Sequence, residues 1–126
     1  MKVALIGLGE AGSALITGWG LGAQDVSAFD RQTDDPATAP EMHTRYAALR
    51  VTGRARLDEA LAGAEIVLSV VTADQAEAVA QAAAPHLEAG AYFCDLNSCA
   101  PAAKQRSAQA VEAAGSRYVD VAVMAP

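Results

Sequence analysis

The chain is poor in basic and in aromatic side chains. Nine Lys and Arg stand against fifteen Asp and Glu, a formal net charge of −6, and only 5% of residues are aromatic. A nucleic-acid or anionic-membrane surface needs many Lys and Arg to neutralise phosphates, so no nucleic acid and no membrane is expected as a partner. An anionic small molecule stays possible, because backbone amides can hold a phosphate locally. Cysteine is nearly missing. Cys94 and Cys99 lie five apart with no second Cys or His pair nearby, which removes metal-ligand spacing. In a reducing compartment no disulfide is expected; Cys94 reads as a small buried strand residue and Cys99 as a loop thiol. No apolar run is long enough to span a bilayer. The opening Met1–Ile6 run is broken at once by Gly7, Gly9 and Glu10 without a cleavage-like region, so the protein reads as cytoplasmic.

What is present is alanine, together with short apolar runs. Residues 1–126 fit a single domain whose length can bury one core. Alanine favours helices and lets them sit close to a sheet. Strands are predicted at Lys2–Ile6, Val26–Phe29, Arg50–Thr52, Glu65–Val71, Ala91–Asp95 and Arg117–Val123. Helices are predicted over about Glu10–Leu21, Glu41–Leu49, Leu57–Leu61, from Asp74 to near Ala84, and from Pro101 to Gly115. Asp74 with Glu77 three residues on has the spacing of a capping box. The polar, Pro-bearing stretch from Arg31 to Pro40 reads as a loop. Apolar strands without clean alternation are buried on both faces, as in a parallel sheet. The fold class is therefore α/β, with about six parallel strands in the doubly wound order 3-2-1-4-5-6.

Gly7-Leu8-Gly9-Glu10-Ala11-Gly12 reads G-x-G-x-x-G, between an apolar strand and an Ala-rich helix. Gly7 permits a tight turn, Gly9 leaves room for a pyrophosphate, and Gly12 lets helix and strand pack closely. Asp30 follows 18 residues after Gly12, at the end of the second strand. A carboxylate there can accept from adenosine ribose hydroxyls and repels a 2′-phosphate. Arg31 could instead pair with that phosphate or stack on adenine. The plain alternative is that Asp30 starts a turn and Arg31 is a solvated loop residue. Strand, glycines, helix and acid in this order point to a Rossmann-type site for NAD or NADP, with NAD slightly favoured.

Three segments carry a family resemblance that covers essentially the whole chain. They are Lys2–Gly12, Ala64–Thr72, and the stretch from Asp95-Leu96-Asn97-Ser98-Cys99-Ala100-Pro101 through Lys104 to Val119–Pro126. The chain resembles the N-terminal domain of the β-hydroxyacid dehydrogenases, which include 6-phosphogluconate and 3-hydroxyisobutyrate dehydrogenases. The third segment looks like the family's D-x-S-T-x-x-P substrate signature, with Asn97 where Ser is usual and Ser98 where Thr or Ser stands. Glu10-Ala11 departs from the commoner Met before the third glycine; both departures look like the 6-phosphogluconate-dehydrogenase-like oxidoreductases. The resemblance implies cofactor contacts at Gly7, Leu8, Gly9, Glu10, Ala11, Gly12, Asp30, Arg31, Val71 and Thr72. It implies substrate contacts at Asn97, Ser98 and Cys99, whose polar groups precede a helix N-terminus. The bland reading of Asn97 and Ser98 is a turn into that helix.

By the same resemblance, a Lys on a long helix after the sixth strand is the general acid/base. A helical second domain closes the cleft and makes a homo-oligomer. Both are expected beyond residue 126, so these residues alone are expected to be inactive, with no catalytic residue of their own. Lys104 reads as a solvated helix residue, His43 and His86 as surface residues, Trp19 as packing, and Tyr92 and Tyr118 as core or rim. The expected activity is hydride transfer between nicotinamide and a small 3-hydroxy acid or related hydroxy acid. A stand-alone dinucleotide-binding or sensor module is the alternative. Other two-domain reductases, such as imine or pyrroline-carboxylate reductases, share the glycine loop.

Overall fold

The computed structural model describes residues 2–18 and 25–121. Five strands follow the predicted places closely: β1 (Lys2–Ile6), β2 (Asp25–Phe29), β4 (Ile66–Ser69), β5 (Tyr92–Asp95) and β6 (Arg117–Asp120). β3 is only Thr52–Gly53, shifted from the expected Arg50–Thr52. Arg50 takes a left-handed conformation at φ 59° to end the preceding helix, and Val51 turns its side chain into the core. The sheet order is β3-β2-β1-β4-β5-β6 and every pairing is parallel, as the alternating pattern predicts.

Helices α1 (Glu10–Gly18), α2 (Ala39–Leu49), α3 (Leu57–Leu61), α4 (Ala73–Ala83) and α5 (Pro101–Ala113) connect the strands. The period-2 geometry of β1 divides the core into two layers. Val3 and Leu5 meet Ile16 of α1 and Met42 and Tyr46 of α2. Ala4 and Ile6 meet Leu61 of α3, Ala80 and Ala83 of α4, and Val111 of α5. Helices thus cover both faces, and the order in which strands are added reverses between β1 and β4. That reversal opens a crevice beyond the carboxyl ends of these two strands.

Two local expectations change. The Arg31–Pro40 stretch is not all loop: Arg31–Asp34 forms a 3-10 turn capped by the Asp30 side chain, and α2 already begins at Ala39. Asp74 is not the N-cap of α4. Thr72 occupies that position, and Asp74 lies in the first turn, where negative charge suits the helix dipole. Glu77 makes no capping box; it grips Arg106 of α5 through both carboxylate oxygens at 3.0 Å. Trp19 and the end of the predicted first helix lie outside the described residues, as do Ala122 and Val123 of the predicted sixth strand. Among the described residues no helix is long and apolar enough to cross a membrane.

Candidate functional site: a dinucleotide cleft and its neighbouring cavity

The glycine loop leaves β1 and enters α1 at the crevice. Gly7 adopts φ +92°, and a Cβ there would stand 2.1 Å from the Val70 carbonyl oxygen. A Cβ on Gly12 would stand 2.3 Å from the Gly7 carbonyl oxygen. Both positions are closed by the protein's own packing. Gly9 differs: it has no positive φ, and a Cβ there would meet nothing within 4 Å. Folding therefore does not demand glycine at position 9, whereas a ligand lying against the loop would. The Ser13 N–H donates to the Gly9 carbonyl at 2.9 Å, closing the first turn of α1. The N–H groups of Ala11 and Gly12 precede that bond and have no helical carbonyl to meet, which suits an anion.

A cleft of about 350 Å³ lies over this loop. Gly7, Gly9, Ala11 and Gly12 line it, with Asp30 and Arg31 at one side and Val71 and Thr72 at the other. Eight of the ten expected cofactor residues are thus brought together. Leu8 is not: its side chain is fully buried in the core. Its N–H donates to Asp30 Oδ2 at 2.8 Å, and its carbonyl accepts from Arg45 Nη1 at 2.6 Å. Both backbone polar groups of Leu8 are thus already engaged by the frame. Of Glu10 the backbone alone is described, as the first residue of α1. The lining also includes Gln75 and Val79, absent from the sequence expectation. They stand four residues apart on one face of α4.

Asp30 carries more of the local structure than a ribose acceptor alone would. Besides Leu8 it accepts from the Gln32 N–H through Oδ1 at 2.9 Å. Its own N–H donates to Tyr46 Oη at 3.1 Å, and that hydroxyl pairs with Thr33 Oγ1 at 2.8 Å. Burial pushes the Tyr46 phenol above its ordinary value. Each carboxylate oxygen of Asp30 keeps a second lone pair. At the opposite wall, the Thr72 hydroxyl and then the Gln75 amide hold the Asp74 carboxyl below the usual range.

Next to the cleft, beyond β5, a cavity of about 890 Å³ is lined by Asp74, Asn97, Ser98, Cys99, Lys104, Asp120 and neighbouring apolar residues. The three expected substrate residues therefore share one cavity. Ser98 is exposed. Asn97 does not fit the role of substrate donor: it is 5% exposed and its carboxamide is spent inside the protein. Nδ2 donates to Ser69 Oγ at 3.1 Å and Asp95 Oδ1 at 2.8 Å, while Oδ1 accepts from the Val71 N–H at 2.7 Å. Burial, then Asp95, pushes the Cys99 thiol up, which keeps it from being a ready nucleophile. Cys94 is half-buried, as is Cys99. Lys104 is not a solvated helix residue. Its ammonium pairs with Asp120 and its side chain is 15% exposed. Its place one turn into the helix after the Asn97-Ser98 loop is the signal that could have found it. His43 and His86 are exposed as expected, Tyr92 lies at the rim and Tyr118 is half-buried.

A family model for the NAD-binding domain of 6-phosphogluconate dehydrogenase matches residues 2–124. The chain belongs to this family. No curated protein matches. Among solved structures, a conserved hypothetical protein from Sinorhizobium meliloti 1021 is 37% identical over 100% of this chain and 42% of its own, with a TM-score of 0.93. Mycobacterium tuberculosis 3-hydroxyisobutyrate dehydrogenase, solved with L-serine, shares the fold at 23% identity and TM-score 0.80, over 98% of this chain and 40% of its own. A reductive aminase from Aspergillus terreus, solved with NADPH and ethyl-5-oxohexanoate, shares it at 24% and 0.75, over 98% of this chain and 41% of its own. The chain thus spans 40–42% of the length of these three structures.

Proposed function

We propose that the chain is the cofactor domain of an oxidoreductase transferring hydride between a nicotinamide dinucleotide and a small 3-hydroxy acid or related hydroxy acid. The observation that carries the reading is the placement of the Gly9 cleft and the Ser98–Lys104 cavity side by side along one sheet edge. A bound nicotinamide dinucleotide supplies the hydride donor or acceptor. Gly9 makes room for its pyrophosphate, and the first-turn N–H groups of α1 offset the charge. Asp30 accepts from the adenosine ribose through its remaining lone pairs and repels a 2′-phosphate, so NAD is favoured over NADP. Arg31, on the same wall, keeps a weaker NADP mode open. Val71 and Thr72 line the cleft where the chain runs on to Ala73 and Asp74 of the neighbouring cavity.

In this reading Ser98 and Lys104 hold the substrate carboxylate, Cys99 forms part of the cavity lining, and Asp120 keeps the ammonium in place. Lys104 is an anchor rather than the proton-transfer group, because Asp120 already holds it. The proton-transfer lysine and the oligomer contacts are assigned outside residues 1–126. The dinucleotide-loaded chain should bind a small 3-hydroxy acid weakly, and Ser98→Ala should weaken that binding about tenfold by calorimetry. It should show no turnover in the nicotinamide absorbance band. Unchanged affinity in Ser98→Ala would remove that contact from the account, and brisk turnover would overturn the placement of the proton-transfer group.

A further inference from the structure

β4 leaves the sheet at Ser69, and its continuation forms the wall of the dinucleotide cleft. The Val70 N–H still finds a strand partner, the Ile6 carbonyl, at 2.9 Å. The Val71 N–H has passed the end of β1 and is taken instead by the Asn97 carboxamide. The same side chain reaches Ser69 at the end of β4 and Asp95 at the end of β5, and its own N–H donates to Asp95 Oδ1 at 3.0 Å. Asp95 is 1% exposed and also accepts from Tyr118 Oη at 2.6 Å. Every polar atom of the Asn97 carboxamide is thereby used at one junction. On the far side of that junction, the Val70 carbonyl sits where a Cβ of Gly7 would be. A shift of the Val70-Val71 peptides therefore moves the wall against which the glycine loop is packed.

We infer that Asn97 is a positioning residue: its carboxamide fastens the wall of the cofactor cleft to the root of the substrate loop, so dinucleotide affinity depends on a residue outside the cleft. The inference rests on the cofactor reading above. In a doubly wound sheet the β1–β3 half takes the adenosine and the β4–β6 half takes the other mononucleotide. Asn97 belongs to the second half, so its loss should weaken the whole dinucleotide more than the adenosine fragment.

The test uses the chain with Asn97→Ser and the nearly isosteric Asn97→Asp, and reads the Kd of NAD and of AMP by calorimetry. Ser is too short to reach both Val71 and Asp95. Asn97→Ser is expected to weaken NAD about tenfold and AMP less than about twofold. In Asn97→Asp the new carboxyl faces Asp95; like charge raises its pKa, and when protonated it can donate to Asp95 as the amide does. The other groups around this junction are Tyr118 and Asp120 on β6, Cys99 in the loop, Lys104 on α5 and Asp74 on α4. Of these, Lys104 and Asp120 are paired with each other. The variant should therefore bind NAD nearly as the wild type does at about pH 5 and lose affinity, relative to wild type, toward about pH 8. That pH-dependent ratio is a readout that general loosening of the fold would not give. Folded variants that bind NAD as tightly as wild type at both pH values overturn the inference alone. A wild-type chain that binds no dinucleotide overturns the cofactor reading and this inference with it.

Discussion

At the scale of single residues, the three glycines of one motif do three different things. Gly7 and Gly12 are required by contacts within the protein, at 2.1 Å and 2.3 Å for a built Cβ, whereas Gly9 is required by none. Gly12→Ala should destabilise the chain by roughly 2–3 kcal/mol through forced separation of α1 from the loop, visible as a lower Tm. Gly9→Val should melt like wild type and yet lose dinucleotide affinity, because its side chain stands in the cleft. If both variants melt alike and bind alike, the division of labour assigned to these glycines is wrong. The different parts of the three glycines were legible from their places in the motif; what the sequence could not give are the distances to Val70 and to Gly7 itself that close positions 7 and 12 and leave position 9 open. Leu8 shows the same limit. Its place inside the motif suggested contact with the cofactor, while its apolar side chain sends it into the core.

At the scale of elements, the ends of β5 and β6 are joined by a polar network beside the stacked rings of Phe93 and Tyr118. Burial first, and then the hydrogen bond to Asp95, push the Tyr118 phenol well above its ordinary value of 10.0. The folded chain keeps that proton where the unfolded chain releases it. The associated stability is therefore complete below pH 10 and declines as pH rises beyond it. Tyr118→Phe should remove this alkaline decline and, near pH 7, cost about 1–3 kcal/mol, because Asp95 loses one of its donors. Urea melts of both proteins at pH 7 and in the alkaline range read the two effects. A variant that shows the same alkaline slope as wild type would contradict the assignment. Nothing in the spacing of Asp95, Asn97 and Tyr118 announced this network. Asn97 and Tyr118 lie on opposite sides of α5 in the sequence, and only the parallel register Phe93↔Tyr118 brings the phenol to Asp95. The register itself was foreseeable in kind, since helices between apolar strands force parallel crossovers.

At the scale of the whole molecule, strand order was the most legible feature and side-chain commitment the least. Alternating apolar runs and Ala-rich helices lead to β3-β2-β1-β4-β5-β6 without knowledge of any contact. The sheet then sets Gly9, Asp30, Thr72 and Ser98 along a single edge, although they lie far apart in the chain. Lys104 and Asp120 were hidden for a related reason. Each looks like a solvated charge until the α5–β6 crossover places one beside the other at a cavity. In the proposed reading the acidic chain meets an anionic cofactor with backbone amides and keeps a paired lysine for the neighbouring cavity. Calorimetric titration of the chain with NAD, and separately with NADP, tests this account most directly. Saturable binding to one site, tighter for NAD and abolished or strongly weakened by Gly9→Val, is the predicted result; no heat of binding at about millimolar concentrations of either dinucleotide would contradict it.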